Sequence, residues 1–187
     1  MGKRRISRGF TLIELMLALA IMALLLLIGM PSFTTFLRNS EIRSTAESMI
    51  NGLRTSTAEA ANRNTKVTFT LAGGGTGDWT ITWVDDDGAT QTIQQFLKKE
   101  TGSSTKVTVL QGANTVVFNA MGRIENPGTD DHIRTIEIAT LVVGEGRTLR
   151  IIVDDPNAAD PTKPRGMRMC DPDPALLSLT PPDPRAC

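Results

Sequence analysis

The sequence is poor in the groups that carry chemistry. It has one histidine, His132, and two cysteines, Cys170 and Cys187. No glycine motif that cradles phosphate is present, and no nucleophile elbow accompanies the serines. Asp85-Asp86-Asp87-Gly88 lacks the ligand spacing of an EF-hand loop. These absences remove the sequence grounds for an enzyme, and no cofactor is expected. His132 stands beside Asp130 and Asp131 and reads as part of a solvated loop rather than a metal site. Asp171 and Asp173 lie in a proline-rich stretch and read as loop residues in preference to calcium ligands. An excess of one charge is also missing, since 20 basic side chains stand against 20 acidic ones. Residues 1–9 contain four of the bases and no acid, so the rest of the chain has 16 against 20, a balance of −4. That argues against a protein-wide attraction for nucleic acid and leaves a local basic patch open.

What the chain does have is concentrated at its start. Lys3, Arg4, Arg5 and Arg8 lead into an apolar run in which Thr11 and Glu14 are the plainly polar side chains. Residues 10–30, built as a helix, span roughly 31 Å, the thickness of a bilayer core. The basic flank predicts a cytoplasmic N-terminus and translocation of the rest of the chain. A secretory signal would end in a small-residue cleavage site after the apolar run. Here the chain passes into Pro31 and an amphipathic segment, so the run is expected to stay. A carboxylate in such a run costs ~2.5–3.5 kcal/mol at the bilayer centre and less near the interface. Glu14 therefore either snorkels to the headgroups or pairs with a cation from another subunit.

Gly9-Phe10-Thr11-Leu12-Ile13-Glu14 resembles the class III signal of type IV pilins and type II secretion pseudopilins. The resemblance runs from Arg8 to Pro31 and implies cleavage between Gly9 and Phe10 by a prepilin peptidase, then N-methylation of Phe10. It also implies that Glu14 draws the subunit into a filament by facing a free N-terminal amine.

Beyond Pro31, Ile42, Ala46, Met49, Ile50 and Leu53 recur in steps of three and four, and Thr57 and Ala60 extend the same face. No capping box marks a new start near Ser40, so one helix is expected from about Phe10 to about Asn62. Its second half has a single apolar stripe suited to packing on a sheet. Pro31 removes a backbone donor and should bend or loosen it. The period then changes to two. Lys66–Leu71, Trp79–Val84, Thr90–Leu97, Lys106–Leu110, Thr115–Asn119, Ile133–Val143 and Arg147–Val153 read as strands. Gly73–Gly77, Asp85–Gly88 and Gly144-Glu145-Gly146 read as turns. The fold class is α+β: a long N-terminal transmembrane and amphipathic helix packed on an antiparallel β-sheet domain, with an irregular Pro-rich C-terminal loop. The expected division is a removed basic leader (1–9), a transmembrane and filament-core helix (10–30), its amphipathic continuation (31–62), a β-rich periplasmic domain (63–153) and a Pro-rich tail (154–187).

Phe118-Asn119-Ala120-Met121-Gly122-Arg123 is similar to an F-x-x-x-G-R segment of the GspH/FimT-type branch of this superfamily. Arg123 itself reads equally as an exposed strand-end residue pairing with a local acid. Eight of the ten prolines follow Asp154, which predicts irregular structure there. An oxidising periplasm would allow Cys170 and Cys187 to form a disulfide, worth ~3 kcal/mol in the chain-entropy model; two free thiols are the alternative. Lys163, Arg165 and Arg168 form a run of cations suited to phosphate contact. Some FimT-type DNA receptors carry G-R-x-R before this cysteine. In this chain Arg168 matches the second arginine and Gly166 takes the place of the first. Pairing of these arginines with Asp171 and Asp173 is the preferred reading.

The resemblance thus implies a non-enzymatic minor pilin or pseudopilin, a subunit of a type IV pilus or type II secretion filament acting in initiation or tip assembly. The alternative is a DNA-binding minor pilin acting as receptor in natural transformation. Expected partners are other major and minor pilins or pseudopilins, the prepilin peptidase and the inner membrane, with DNA less favoured. The expected location is a single-pass inner-membrane protein with a periplasmic C-terminal domain, incorporated into an extracellular pilus or periplasmic pseudopilus.

Overall fold

A computed structural model describes residues 10–98, 105–125, 127, 130–141, 146–153, 166–179 and 183–187. One helix, α1, runs unbroken from Leu12 to Arg63, through Pro31. Two units divide the chain, one ending at Leu37 and one beginning at Arg38. In the second unit the expected stripe faces a core: Ile42, Ala46, Met49, Ile50, Leu53 and Ala60 are buried. Each large apolar side chain so buried contributes about 1.5–3 kcal/mol. The stripe also carries Ser56, whose hydroxyl donates to the Gly52 carbonyl at 2.9 Å and so is satisfied without leaving the helix. The helix stops at Asn64, which turns left-handed at φ 51°. The Asn64 N–H donates to the Ala61 carbonyl and the Thr65 N–H to the Ala60 carbonyl, a Schellman-type closure that satisfies two end carbonyls.

Beyond the helix come strands with the alternation read from the sequence. They are β1 (Val67–Leu71), β2 (Trp79–Val84), β3 (Thr90–Phe96), β4 (Thr105–Gln111), β5 (Thr115–Phe118), β6 (Thr135–Thr140), β7 (Leu149–Ile152) and β8 (Arg168–Cys170). They form two four-stranded antiparallel sheets rather than one, in the orders β3-β2-β1-β5 and β4-β6-β7-β8. The register Phe69↔Ile81 and Phe69↔Val116 places inward side chains in one row across the first sheet. The tail is also less irregular than its prolines suggested. Its proline-free stretch Arg168-Met169-Cys170 pairs with β7, and a short helix α2 (Pro174–Leu177) starts on Pro174 with Asp173 as its cap. Proline at the first helical position loses no bond, which is why it starts that helix rather than breaking it. The expected turn at Gly144–Gly146 falls mainly outside the described residues.

The two sheets are tied by backbone as well as by core. The Val107 N–H of β4 donates to the Gly75 carbonyl in the β1–β2 turn, and the Ile133 N–H donates to Thr115 of β5. His132, expected in solvent, is buried at 3 % exposure, and its carbonyl accepts the Ala113 N–H beside the β4–β5 turn. Helix and first sheet approach closely at Gly52, where an added Cβ would lie 3.0 Å from the Phe69 and Trp79 rings. Those rings stack at 5.6 Å, and Trp79 stacks on Phe96 at 5.8 Å. The Trp79 indole N–H donates to the Ser48 hydroxyl of α1 at 3.3 Å. At the far end of the helix, the Arg63 guanidinium lies over the Trp83 ring at 4.9 Å.

The F-x-x-x-G-R segment is a turn pressed on the helix. Asn119 organises it: its side-chain oxygen accepts the N–H groups of Met121 and Arg123, and its carbonyl accepts that of Gly122. Gly122 has φ 70°, and a Cβ there would lie 2.9 Å from the Thr57 carbonyl oxygen of α1. Left-handed backbone and backbone contact both demand glycine. Arg123 is exposed, and the local acid Glu125 is taken by Lys66. We expect Gly122→Ala to lower stability by about 1–3 kcal/mol. Thermal unfolding of the oxidised protein measures it, and an unchanged midpoint would remove this turn from the packing account.

Candidate assembly segment and C-terminal loop

The N-terminal end of α1 is built by Thr11 and Glu14. The Thr11 hydroxyl accepts the Glu14 N–H at 3.3 Å, and the Thr11 carbonyl accepts the Leu15 N–H. Thr11 is therefore the helix cap, and Thr11-x-x-Glu14 has the spacing of a capping box. Sequence reading missed this role for Thr11, although the spacing announces it. A carboxylate in the first turn meets the positive end of the helix dipole, which lowers the cost of a charge in this apolar setting. Phe10 is exposed, and Gly9, the other side of the expected cleavage, lies outside the described residues. Every large apolar side chain described from Phe10 to Leu37 is exposed. By length and composition α1 holds a stretch able to cross a membrane.

Of the three cations proposed for DNA, Lys163 and Arg165 lie outside the described residues. Arg168 is on β8, opposite Ile152 of β7, and is half-buried. The acids of this stretch have these described contacts. Asp171 accepts from the Arg147 Nε at 2.6 Å, and Asp173 caps α2 by accepting the Ala175 N–H at 2.9 Å. The tail is thus anchored from the β6–β7 side of the fold, a link that residue spacing does not reveal.

Cys170 and Cys187 are bonded, with Cα atoms 5.1 Å apart. Asp171, next to that bond, is the hub of the loop and is buried at 5 % exposure. Its N–H donates to the Arg185 carbonyl, its own carbonyl accepts the Cys187 N–H, and its second carboxylate oxygen accepts the Asp173 N–H. A buried carboxylate is retained only with such compensation. Arg147 extends the link to the helix, since its backbone N–H donates to the Asn39 side chain at 2.9 Å. Beside this contact lies an open cleft of about 420 Å³, whose lining includes Arg147, Asp171, Pro172, Pro174 and Leu176. Among the described residues no group of three or more His, Cys, Asp or Glu side chains is placed to hold a metal.

A second ion pair lies near the end of the loop. The Arg185 guanidinium binds both oxygens of Asp183, at 2.9 and 2.6 Å. That side-chain bond first, then the Arg185 N–H, lowers the Asp183 carboxyl from 3.8 to about 2, with a smaller contribution from Arg147. The same contact raises Arg185. A carboxyl whose folded value lies below its unfolded one stabilises the fold fully above the unfolded value. The contribution fades as pH falls from there through the folded value. Carbon NMR of the Asp183 carboxyl should show a midpoint about two units below a free aspartate, and a normal midpoint would deny the ion pair. Cys187→Ser should cost ~3 kcal/mol of stability, read by denaturant unfolding without reductant.

Comparison with known families accounts for both halves of this arrangement. A model of the prokaryotic N-terminal methylation motif matches residues 4–30. A model described as type II transport protein GspH matches residues 45–156, from the buried stripe of α1 past β7. No curated protein and no solved structure matched the chain. The second match spans more than half the chain, and with the methylation motif ahead of it, this protein belongs to the family of the type II transport protein GspH, the non-enzymatic pseudopilins of type II secretion.

Proposed function

We propose that the chain is a minor pseudopilin that acts in initiation or at the tip of its filament. In this reading the leader of residues 1–9 is removed, Phe10 becomes the methylated N-terminus, and residues 10–30 hold the subunit in the inner membrane before entering the filament core. Residues 31–62 join that anchor to a periplasmic β-rich domain over 63–153, and 154–187 form its closing tail. The observation that carries the reading is the exposure of every described large apolar side chain from Phe10 to Leu37, followed from Ile42 by a buried stripe. A helix that leaves one stretch unburied on all sides needs lipid or other helices around it. Its partners are then other pseudopilins, with the prepilin peptidase acting first.

Glu14 serves docking by pairing with the amine at a neighbour's N-terminus. The capping spacing gives it a local role as well, and two substitutions separate the roles. Glu14→Gln keeps a side chain able to cap and loses the charge, whereas Glu14→Ala loses both. We expect both variants to be cleaved normally and both to lower secretion and filament yield by about tenfold or more, a charge-pair effect of ~1.4 kcal/mol. Full output from Glu14→Gln would assign the residue to capping alone. A DNA role is tested on the full chain in detergent by fluorescence anisotropy across a salt series. Binding that falls steeply with salt and is lost in Arg168→Ala would replace the secretion reading by an uptake receptor.

A further inference from the structure

Two described side-chain contacts fix the stretch just ahead of β7, and Arg147 makes both. Its backbone N–H donates to the Asn39 side chain of α1 at 2.9 Å, and its Nε donates to Asp171 at 2.6 Å. Gly146 turns left-handed at φ 106° just before it, and a Cβ there would lie 3.5 Å from the Asn39 side-chain oxygen. The backbone therefore passes close to the helix. The two contacts rest on different supports. Asn39 is part of α1. Asp171 is buried one residue past Cys170, and the chain end lies on it: the Asp171 N–H donates to the Arg185 carbonyl, and its carbonyl accepts the Cys187 N–H. That chain end has little hold of its own. None of residues 183–187 is buried, and apart from Asp171 its described backbone bond to the rest of the fold goes to the Leu176 carbonyl. The Cys170–Cys187 bond is the covalent clamp that keeps it there, while the pair Arg150↔Cys170 keeps Cys170 on β7.

We propose that closure of the Cys170–Cys187 bond and the seating of Arg147 on α1 are coupled, so that the tail is a redox-sensitive latch read out at Asn39. With the bond closed, the chain end covers Asp171, and the contact of its carboxylate with Arg147 is shielded from water. A dithiol reductant supplies two electrons and two protons: the S–S bond breaks, two thiols form, and the dithiol leaves as its own disulfide. The chain end then loses its clamp and Asp171 becomes wet. An ion pair between solvated groups holds little. Arg147 keeps the Asn39 contact alone, and the stretch loosens from the helix. Coupling is reciprocal, so a loosened Arg147 makes the bond easier to reduce by the same factor. Asn39 is the second residue of its unit, so the state of the tail is felt where the folded part of α1 begins. The inference uses this unit alone and does not rest on the filament role.

The test uses the full chain in detergent, oxidised or treated with a dithiol. Amide exchange at Arg147, read by NMR, should speed up about fivefold or more on reduction. Unaltered chemical shifts of Phe69 and Ile81 should show the domain still folded. Arg147→Ala in the oxidised chain should loosen residue 147 to a similar degree with the bond intact, and reduction should then add little. Asn39→Ala alters neither cysteine nor Asp171. It should move the thiol–disulfide equilibrium of Cys170 and Cys187 against glutathione toward the thiols by about the same factor as the exchange. Unchanged exchange at Arg147 on reduction, additive effects of reduction and Arg147→Ala, or an unmoved equilibrium in Asn39→Ala would overturn the proposal. Collapse of the Phe69 and Ile81 signals on reduction would overturn it too, since the bond would then hold the whole domain rather than one latch.

Discussion

The fold depends on how closely α1 can approach the first sheet. Gly52 sets that distance: a single added carbon would stand 3.0 Å from two aromatic rings. Around that contact the Ser48 hydroxyl takes the Trp79 N–H, and Phe69, Trp79 and Phe96 stack across three strands. The indole is thus buried with its polar atom satisfied, which is the condition for using so large a ring in a core. Withdraw the helix by the width of a methyl group and that bond lengthens, the stack loses its cover, and the Gly122 turn loses its seat on Thr57. A protein in which aromatics are 4 % of residues has little other ring surface from which to build an equivalent core.

Periodicity made much of this legible. The stripe from Ile42 to Ala60 has the helical step, and the observed β2 has the boundaries that alternation alone assigned, Trp79 to Val84. These are properties of neighbours in the chain. What the sequence did not disclose are relations between distant segments. Splitting into two sheets depends on β4 leaving the first sheet and β5 returning to it, and each strand's alternation is the same in either arrangement. His132 carries the polar flank of a loop residue, yet it is buried where the stretch before β6 meets the β4–β5 turn. Strand β8 is three residues long among prolines, too short for a period to register. The Asp171–Arg147 pair joins residues 24 apart through two strands, and no spacing rule reaches it. Thr11 and Asn119 are different: both follow local patterns in which a short polar side chain accepts a nearby backbone N–H, and such patterns are legible in sequence.

The chain gives its two halves opposite solutions to the same problem. From Phe10 to Leu37 apolar surface is left exposed, and the one acid sits where the helix end tolerates it. At the C-terminal loop the acids are abundant and each has a specific donor: Arg147 for Asp171, the α2 backbone for Asp173, and Arg185 for Asp183. Membership of the GspH family makes sense of the contrast. A pseudopilin must be carried by lipid before assembly and must hold a folded, water-facing domain at the same time.

The interleaving of the sheets bears on how the domain comes together. Strands β1, β2 and β3 are consecutive and can pair by hairpin steps, but the first sheet is complete only when β5 arrives on the far side of β1. Before that the chain must build β4, which belongs to the other sheet, and β4 is held by a carbonyl from the first. Neither sheet is therefore an independent folding unit. The long-range closures that dominate the second half slow the search for the native state, because chain entropy is lost before those contacts form. The same mutual dependence makes the folded domain cooperative: loosening one sheet removes a support from the other, so partial opening has little to stand on and the domain is either whole or unformed.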